Sequence, residues 1–373
     1  MLRLYNSGKE AFPAIIEAIG GARKALDINM FIWRDDEIGN RVAEAVLAAA
    51  ERGVRVTISV DRYGVVLEKA EECMRSFFHK RQSPIERLKS RILAAAYPTP
   101  GMKYPVRDEE SRLYRAIMAH PNITVERDVF KADHSKFYVI DEAILFLGGI
   151  NVEDKENGAD MHGRVYGDLM VGLFGRDYVA AFRAAREGKS TDVGYAFPLN
   201  RKTHRIFTVK EHYLSLIRAA EAELLIVMPY FSPLTDFVKE ITAAAARGVK
   251  VTVMIPARAN FQDDTNKRTV RRLMEKSGGR IAVLYTPKML HTKLMVSEKT
   301  ISFGSANITK KAFSQLDELN LSLPNTDDPF CRALLALIRN ELDRAEPIAD
   351  AKEIKYRKWI ALFEGLIVYR SIL

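Results

Sequence analysis

Apolar and polar positions divide this chain into two stretches that repeat the same order of elements. Apolar-rich runs at Leu26 to Ile32 and at Leu224 to Met228 predict short strands. Two alanine-rich segments with helical spacing then end alike: Ala48-Ala49-Ala50-Glu51-Arg52-Gly53 runs into Val54 to Ile58, and Ala243-Ala244-Ala245-Ala246-Arg247-Gly248 into Val249 to Val253. In each case glycine ends the helix and an apolar strand follows. Further on, Phe137 to Ile140 and Ile144 to Leu147 flank the polar pair Asp141-Glu142, and Leu294 to Val296 and Ile301 to Phe303 flank Ser297-Glu298-Lys299, so each half is expected to carry a β-hairpin. The pattern predicts an α/β protein made of two similar mixed-sheet halves.

The chemistry sits on those hairpins. His134-Ser135-Lys136, with Asp141 five residues after the lysine and Gly148-Gly149-Ile150-Asn151 downstream, returns as His291-Thr292-Lys293 with Glu298 and Gly304-Ser305-Ala306-Asn307. Side chains alternate along an extended strand, so His134 and Lys136 share a face, as do His291 and Lys293. The glutamate at 298, where the first copy has aspartate, is expected to be a structural turn residue. For His79, His120, His162, His204 and His212, which lack such a context, ordinary packing or surface roles are expected.

The copies differ in length. Arg52 and His134 are 82 residues apart but Arg247 and His291 only 44, which leaves 38 extra residues in the first half. They are expected within a basic insertion at about 63–131, where Arg75, Lys80, Arg81, Arg87, Lys89, Arg91 and Lys103 interleave with apolar residues. A solvated helical excursion and a cover that meets anionic lipid both fit. Domains are thus expected at 1–187 and 206–345, joined through 188–205, with an amphipathic segment at 346–373. That segment joins Lys352, Lys355, Arg357 and Lys358 to Trp359, Leu362, Phe363 and Leu366, a pattern for either a docked helix or an interfacial anchor.

Composition narrows the setting. With 47% hydrophobic residues and mixed charge, 373 residues are enough for two cores without staples. Net charge is +9, which favours an anionic partner, nucleic acid or an acidic bilayer. Nowhere do 18 apolar residues run together and the N-terminus has no leader-like pattern, so no segment is expected to span a membrane. Cys73 and Cys331 have no metal-ligand spacing and suggest structural thiols in a reduced compartment.

With its paired H-x-K-x4-acid motifs and the segment Phe31-Ile32-Trp33-Arg34-Asp35-Asp36, the chain resembles the phospholipase D superfamily, most of all bacterial cardiolipin synthases of the type without N-terminal membrane helices. The resemblance implies two phospholipase D-like halves packed about a pseudo-twofold, with the active site at their interface. It implies phosphatidyl transfer from phosphatidylglycerol or another phospholipid to a lipid alcohol, through a phosphohistidine. One imidazole attacks phosphorus, the other protonates the leaving alkoxide, and Lys136, Lys293, Asn151 and Asn307 face the phosphate oxygens. Such a site needs no metal or cofactor. Carboxylates that orient the imidazoles are implied at Glu318 and Asp168, with Asp160 a rival to the latter, and Ser305 is placed to donate to phosphate where Gly149 cannot. His134 is implied as nucleophile and His291 as acid. Hydrolysis of phospholipid or nucleic acid by the same residues, and a nonenzymatic role in binding an anionic polymer, are the alternatives; the intact motifs disfavour the last, and nuclease members of the superfamily are often single-motif dimers, which this chain is not. The protein is expected at the cytoplasmic face of the cell membrane, held peripherally, with anionic phospholipid as its partner.

Overall fold

The duplicated alanine-rich helices stop by one device in the computed structural model, which describes residues 1–64, 66, 76–79, 83–96, 111–127, 131–190 and 194–370. Helix Glu37–Glu51 ends at Gly53 (φ +94°) and helix Thr235–Ala246 at Gly248 (φ +95°). The left-handed residue lets the chain fold back, so that Val54 N donates to Ala49 O and Val249 N to Ala244 O, both at 3.1 Å. The arginine before each glycine reaches the end of the preceding helix: Arg52 donates to Ile19 O at 3.0 Å and Arg247 to Ile217 O at 3.3 Å. Ile19 O also accepts from Ala22 N at 3.2 Å, so there the arginine adds a second donor at the helix end. The repeated Ala-Arg-Gly-Val thus records one local stop used twice.

The chain divides into two units, Met1–Phe182 and Arg183–Leu373. In the first, β1 (Leu2–Tyr5), β2 (Ala25–Met30), β3 (Arg55–Val60), β4 (Ile123–Glu126), β5 (Phe137–Ile140), β6 (Ile144–Gly148) and β7 (Met170–Phe174) form a sheet of order β1-β7-β6-β5-β2-β3-β4. The second contains β8 (Leu199–Arg201), β9 (Ile206–Phe207), β10 (Glu223–Val227), β11 (Phe231–Ser232), β12 (Lys250–Pro256), β13 (Ile281–Thr286), β14 (Leu294–Ser297), β15 (Thr300–Gly304), β16 (Ile308–Thr309), β17 (Glu318–Pro324) and β18 (Glu346–Ile348). Its main sheet has the order β18-β13-β12-β10-β14-β15-β17-β8-β9, and β11 and β16 pair separately. Once β1, β8, β9 and β18 are set aside, the two orders are the same. In both, three parallel strands (β2, β3, β4; β10, β12, β13) join three antiparallel ones (β5, β6, β7; β14, β15, β17). The chain is therefore a mixed α/β protein with a duplicated sheet.

Each unit has its own core. Phe12, Ile15 and Ile19 of helix Gly8–Gly21 and Val42 and Val46 of the next helix cover Leu26, Ile28 and Ile58. Tyr213, Ile217, Phe237 and Ile241 cover Ile226 and Val253 in the second unit. Each such side chain contributes roughly 1.5–3 kcal/mol on burial.

Two of the stretches set off in the sequence contain strands of the sheets. Within 63–131, helix Arg112–Ala119 and β4 belong to the repeated layer, β4 standing where β13 stands in the second unit. Within 188–205, β8 extends the second sheet beyond β17. Lys80, Arg81, Arg75 and Lys103 lie outside the described residues, as does Cys73; Cys331 is a buried free thiol. At the C-terminal end, β18 pairs with β13 and helix Lys358–Arg370 lies against helix Asp263–Ser277. Among the described residues no helix is long and apolar enough to cross a membrane.

Candidate active site

In each unit the motif histidine and lysine lie at the entry to the central antiparallel strand, β5 or β14, where the chain is flanked by strands on both sides. His134 and His291 are buried, and Lys136 and Lys293 have no exposed surface at all. Each ammonium donates to the carbonyl of the histidine two residues back, Lys136 to His134 O at 2.5 Å and Lys293 to His291 O. This bond ties each lysine side chain to the backbone of its motif's histidine. An aromatic ring meets each imidazole edge-on: Phe31, just after β2, at 4.7 Å from His134, and Tyr230, after β10, at 6.0 Å from His291. Phe31 also lies under the Lys136 ammonium at 5.2 Å. Neither ring was marked by the motif, since each comes from another strand of the sheet; an aromatic residue after the first strand of both repeats was the available signal.

The acid of each motif serves the backbone. Asp141 accepts from the amides of Arg23, Lys24 and Ala25 at 2.7–3.0 Å, and Glu298 from those of Glu221, Ala222 and Glu223 at 2.9–3.3 Å. Both thereby hold the turn into the strand beside the hairpin. Partial burial pushes each carboxyl up, but the converging N–H groups more than offset it and hold both below the usual range. The two turns are built differently. Asp141 and Glu142 both have positive φ and Ala143 N donates to Ile140 O, the two-residue hairpin form that aspartate tolerates. The second turn is closed instead by Ser297 Oγ, which accepts from Lys299 N and Thr300 N.

The glycine turns pack against the carboxylates that the resemblance implies. Gly148 and Gly304 sit so close to β7 and β17 that a Cβ would come within 2.2–2.3 Å of Leu169 O or Leu319 O. The next residue bonds to the same carbonyl, Gly149 N at 3.0 Å and Ser305 N at 2.9 Å. In the second unit the Ser305 hydroxyl, expected to serve phosphate, donates to Glu318 Oε2 and accepts from Leu319 N at 3.0 Å. It is a positioning residue for the carboxylate. In the first unit that room is taken by the carboxylate itself: a Cβ at Gly149 would lie 2.1 Å from Asp168 Oδ2, and Leu169 N donates to Asp168 Oδ1 at 2.8 Å. Asp160, the rival, accepts from His162 N and Arg164 N and pairs with the Arg164 guanidinium at 2.6 Å, so it organises its own loop.

Asn151 and Asn307 end the glycine turns, both buried, and their Oδ1 atoms have no hydrogen-bond partner among the described residues. In the second unit a further amide fixes the turn: Asn320 Oδ1 accepts from Ala306 N, and its Nδ2 donates to Tyr213 OH at 2.7 Å. Met170 stands at the matching place in the first sheet, so this bracing is found in one half. Of the remaining histidines, His79 Nε2 is 2.7 Å from Arg127 O, and burial pushes His212 down to about 4.

The family model described as "Cardiolipin synthase, PLD-like domain" matches residues 15–162 and 213–344. The chain is similar to cardiolipin synthase B of Escherichia coli (strain K12), 26% identical over 345 residues that cover 86% of this chain and 74% of that protein. It is similar to a cardiolipin synthase of Staphylococcus aureus (strain N315), 25% identical over 391 residues covering 98% and 72%. Among solved structures, the phosphatidylserine synthase of Haemophilus influenzae Rd KW20 has a TM-score of 0.63 at 13% identity, over 98% of this chain and 92% of that one. That likeness is one of fold.

Proposed function

From a chain that belongs to the phospholipase D-like cardiolipin synthase family, we infer a phosphatidyltransferase that joins two phospholipids into cardiolipin, with phosphatidylglycerol as donor. The observation that carries this reading is a lysine with no exposed surface beside a buried histidine in both units. Burying an ammonium costs several kcal/mol and is a poor choice for stability alone, whereas it suits an anionic phosphodiester. The duplicated motif supports the two half-sites acting on one phosphate.

A nitrogen of His134 attacks phosphorus and the bond from phosphorus to the glycerol oxygen breaks. His291 gives its proton to that oxygen, and glycerol leaves. His291 then takes the proton of the acceptor's hydroxyl, the new alkoxide attacks phosphorus, and the bond to His134 breaks. Both lysines and the Asn151 and Asn307 amides stabilise charge on the non-bridging oxygens. Asp168 and Glu318 orient the imidazoles and favour their charged forms. The protein works from the surface of the membrane that holds its substrate.

The test is incubation of the purified chain with phosphatidylglycerol vesicles, with lipid products read by mass. Cardiolipin and glycerol are expected. Phosphatidic acid as the main product would assign hydrolysis instead. In quenched His291→Ala a phosphatidyl adduct on the protein is expected; an adduct found only in His134→Ala would reverse the two roles.

A further inference from the structure

Two helices, one in each unit, are turned the opposite way from ordinary surface helices. Helix Lys358–Arg370 buries Ala361 and Glu364 and presents Trp359, Leu362, Phe363 and Leu366 outward, with Trp359 82% exposed. Its inner face is held by polar bonds. Glu364 accepts from Thr265 N at 2.7 Å, Ala361 O accepts from Thr265 Oγ1, and Arg357 pairs with Asp264 at 2.8 Å. Helix Pro84–Ala96 buries Leu93 together with Glu86 and Ser90, which are bonded to Arg62 and Val66 O, and presents Ile85, Leu88 and Ile92 outward among Arg87, Lys89 and Arg91. A chain free to rotate either helix would bury the apolar stripe. Specific polar anchors keep it in solvent, and contiguous exposed apolar faces of this kind mark interaction sites.

Charge selects the partner. Beside Trp359 and Leu362 an open depression of about 390 Å³ is lined by Arg268, Tyr356 and Lys358. Arg268 and Lys358 form no ion pair with any described carboxylate, unlike Lys267 and Arg271 on the same helix, which pair with Asp263 and Glu275. Apolar side chains ringed by uncompensated cations complement an anionic amphiphile, with its phosphate in the depression and its acyl region against the rings.

We propose that the outward face of helix Lys358–Arg370, with Arg268 and Lys358, is a docking site for anionic phospholipid in a bilayer, separate from the residues that transfer the phosphatidyl group; helix Pro84–Ala96 is a second contact of the same kind. The site gives the proposed lipid transferase a hold on the membrane that is independent of the substrate in its active site, and it rests on that reading only for its purpose.

The chain's own fluorescence tests it. Of its two tryptophans, Trp33 is fully buried and Trp359 is not, so a change on vesicle binding reports Trp359. A blue shift is expected with vesicles containing phosphatidylglycerol and none with phosphatidylcholine alone. Arg268→Ala with Lys358→Ala should weaken vesicle binding about tenfold or more, and Leu362→Ala with Phe363→Ala should remove the part of flotation that survives high salt. All four side chains are exposed, so melting temperatures should stay unchanged. Transfer on monomeric short-chain phospholipid should also persist; its absence in the unaltered chain would count against the proposed function and leave the docking result standing. Equal flotation of the unaltered and altered proteins would overturn the site. So would a blue shift that appears without vesicles and grows with protein concentration, since it would assign the face to a second copy of the chain.

Discussion

Substituting Gly149 by serine places a side chain where Asp168 now sits. Gly149 has no positive φ, so the backbone accepts a side chain and the effect is confined to the collision. Its Cβ would meet Oδ2 at 2.1 Å and Cγ and Oδ1 at 2.5 Å, more than 1 Å inside ordinary contact. The carboxylate must swing away, which strains or breaks its bond from Leu169 N. A lost bond to a buried charge costs about 1.5–3 kcal/mol, and crowding of this kind about 1–3 kcal/mol. A displacement of about 1 Å in a group that orients a catalytic imidazole corresponds to roughly 100-fold in rate. Gly149→Ser should therefore fold with a lowered melting temperature and lose about two orders of magnitude in phosphatidyl transfer. Asp168→Glu in the same chain recreates the serine and glutamate pair of the second unit and should restore part of both, a coupling that a double-mutant cycle measures directly. Effects of the two changes that simply add, or a Gly149→Ser enzyme within threefold of the parent, would refute the view that the carboxylate's place is set by the missing side chain.

The other predictions concern the neighbouring carboxylates and the chemistry. Glu318→Gln should keep the fold and cut transfer steeply, because the orienting anion is lost, whereas Glu298→Ala should lower stability by about 1–2 kcal/mol and leave activity per folded molecule near normal; equal damage to activity would remove Glu298 from its structural place. Because Asp141 and Glu298 are held low, the stability they add is present above the ordinary carboxylate range and is lost as pH falls through their folded values, so Asp141→Asn should flatten the acid limb of a plot of melting temperature against pH. Asp36 has the opposite sign: burial and the charge of Asp154 raise it from 3.8 to about 7, so its contribution is full below pH 3.8 and fades as pH rises toward 7. Asp36→Asn, which still caps Gly39 N, should gain on the parent by on the order of 1–3 kcal/mol across that window, and parallel curves would show that no such shift exists. Chelation should leave transfer within twofold, and loss restored by one divalent ion would overturn a site built on histidines and lysines.

How much of this was legible depends on where the determining contact lies. The two hairpins, the strands beside them and the paired His and Lys follow from short spacings, so they could be read directly, including the turn position of Glu298. The resemblance supplied Glu318 and Asp168, but it could not supply the exchange of Ser305 with Glu318 for Gly149 with Asp168. That pairing exists because Gly148 lies opposite Met170 and Gly304 opposite Asn320, a register between strands that no single segment encodes. The β4 strand was hidden for a related reason, since it lies inside the longer stretch and has no motif to align it with β13. The two reversed helices are the sharper case. Their apolar spacing was read correctly, but spacing fixes only where a stripe lies on a helix and not which side meets the core. The decision is made elsewhere in the chain, by Arg62 for Glu86 and by the amide of Thr265 for Glu364. Those polar bonds leave Ile85, Leu88, Trp359 and Leu362 in water, forgoing roughly 1.5–3 kcal/mol for each large side chain not buried, and this is the free energy that contact with a bilayer would recover in the proposed docking.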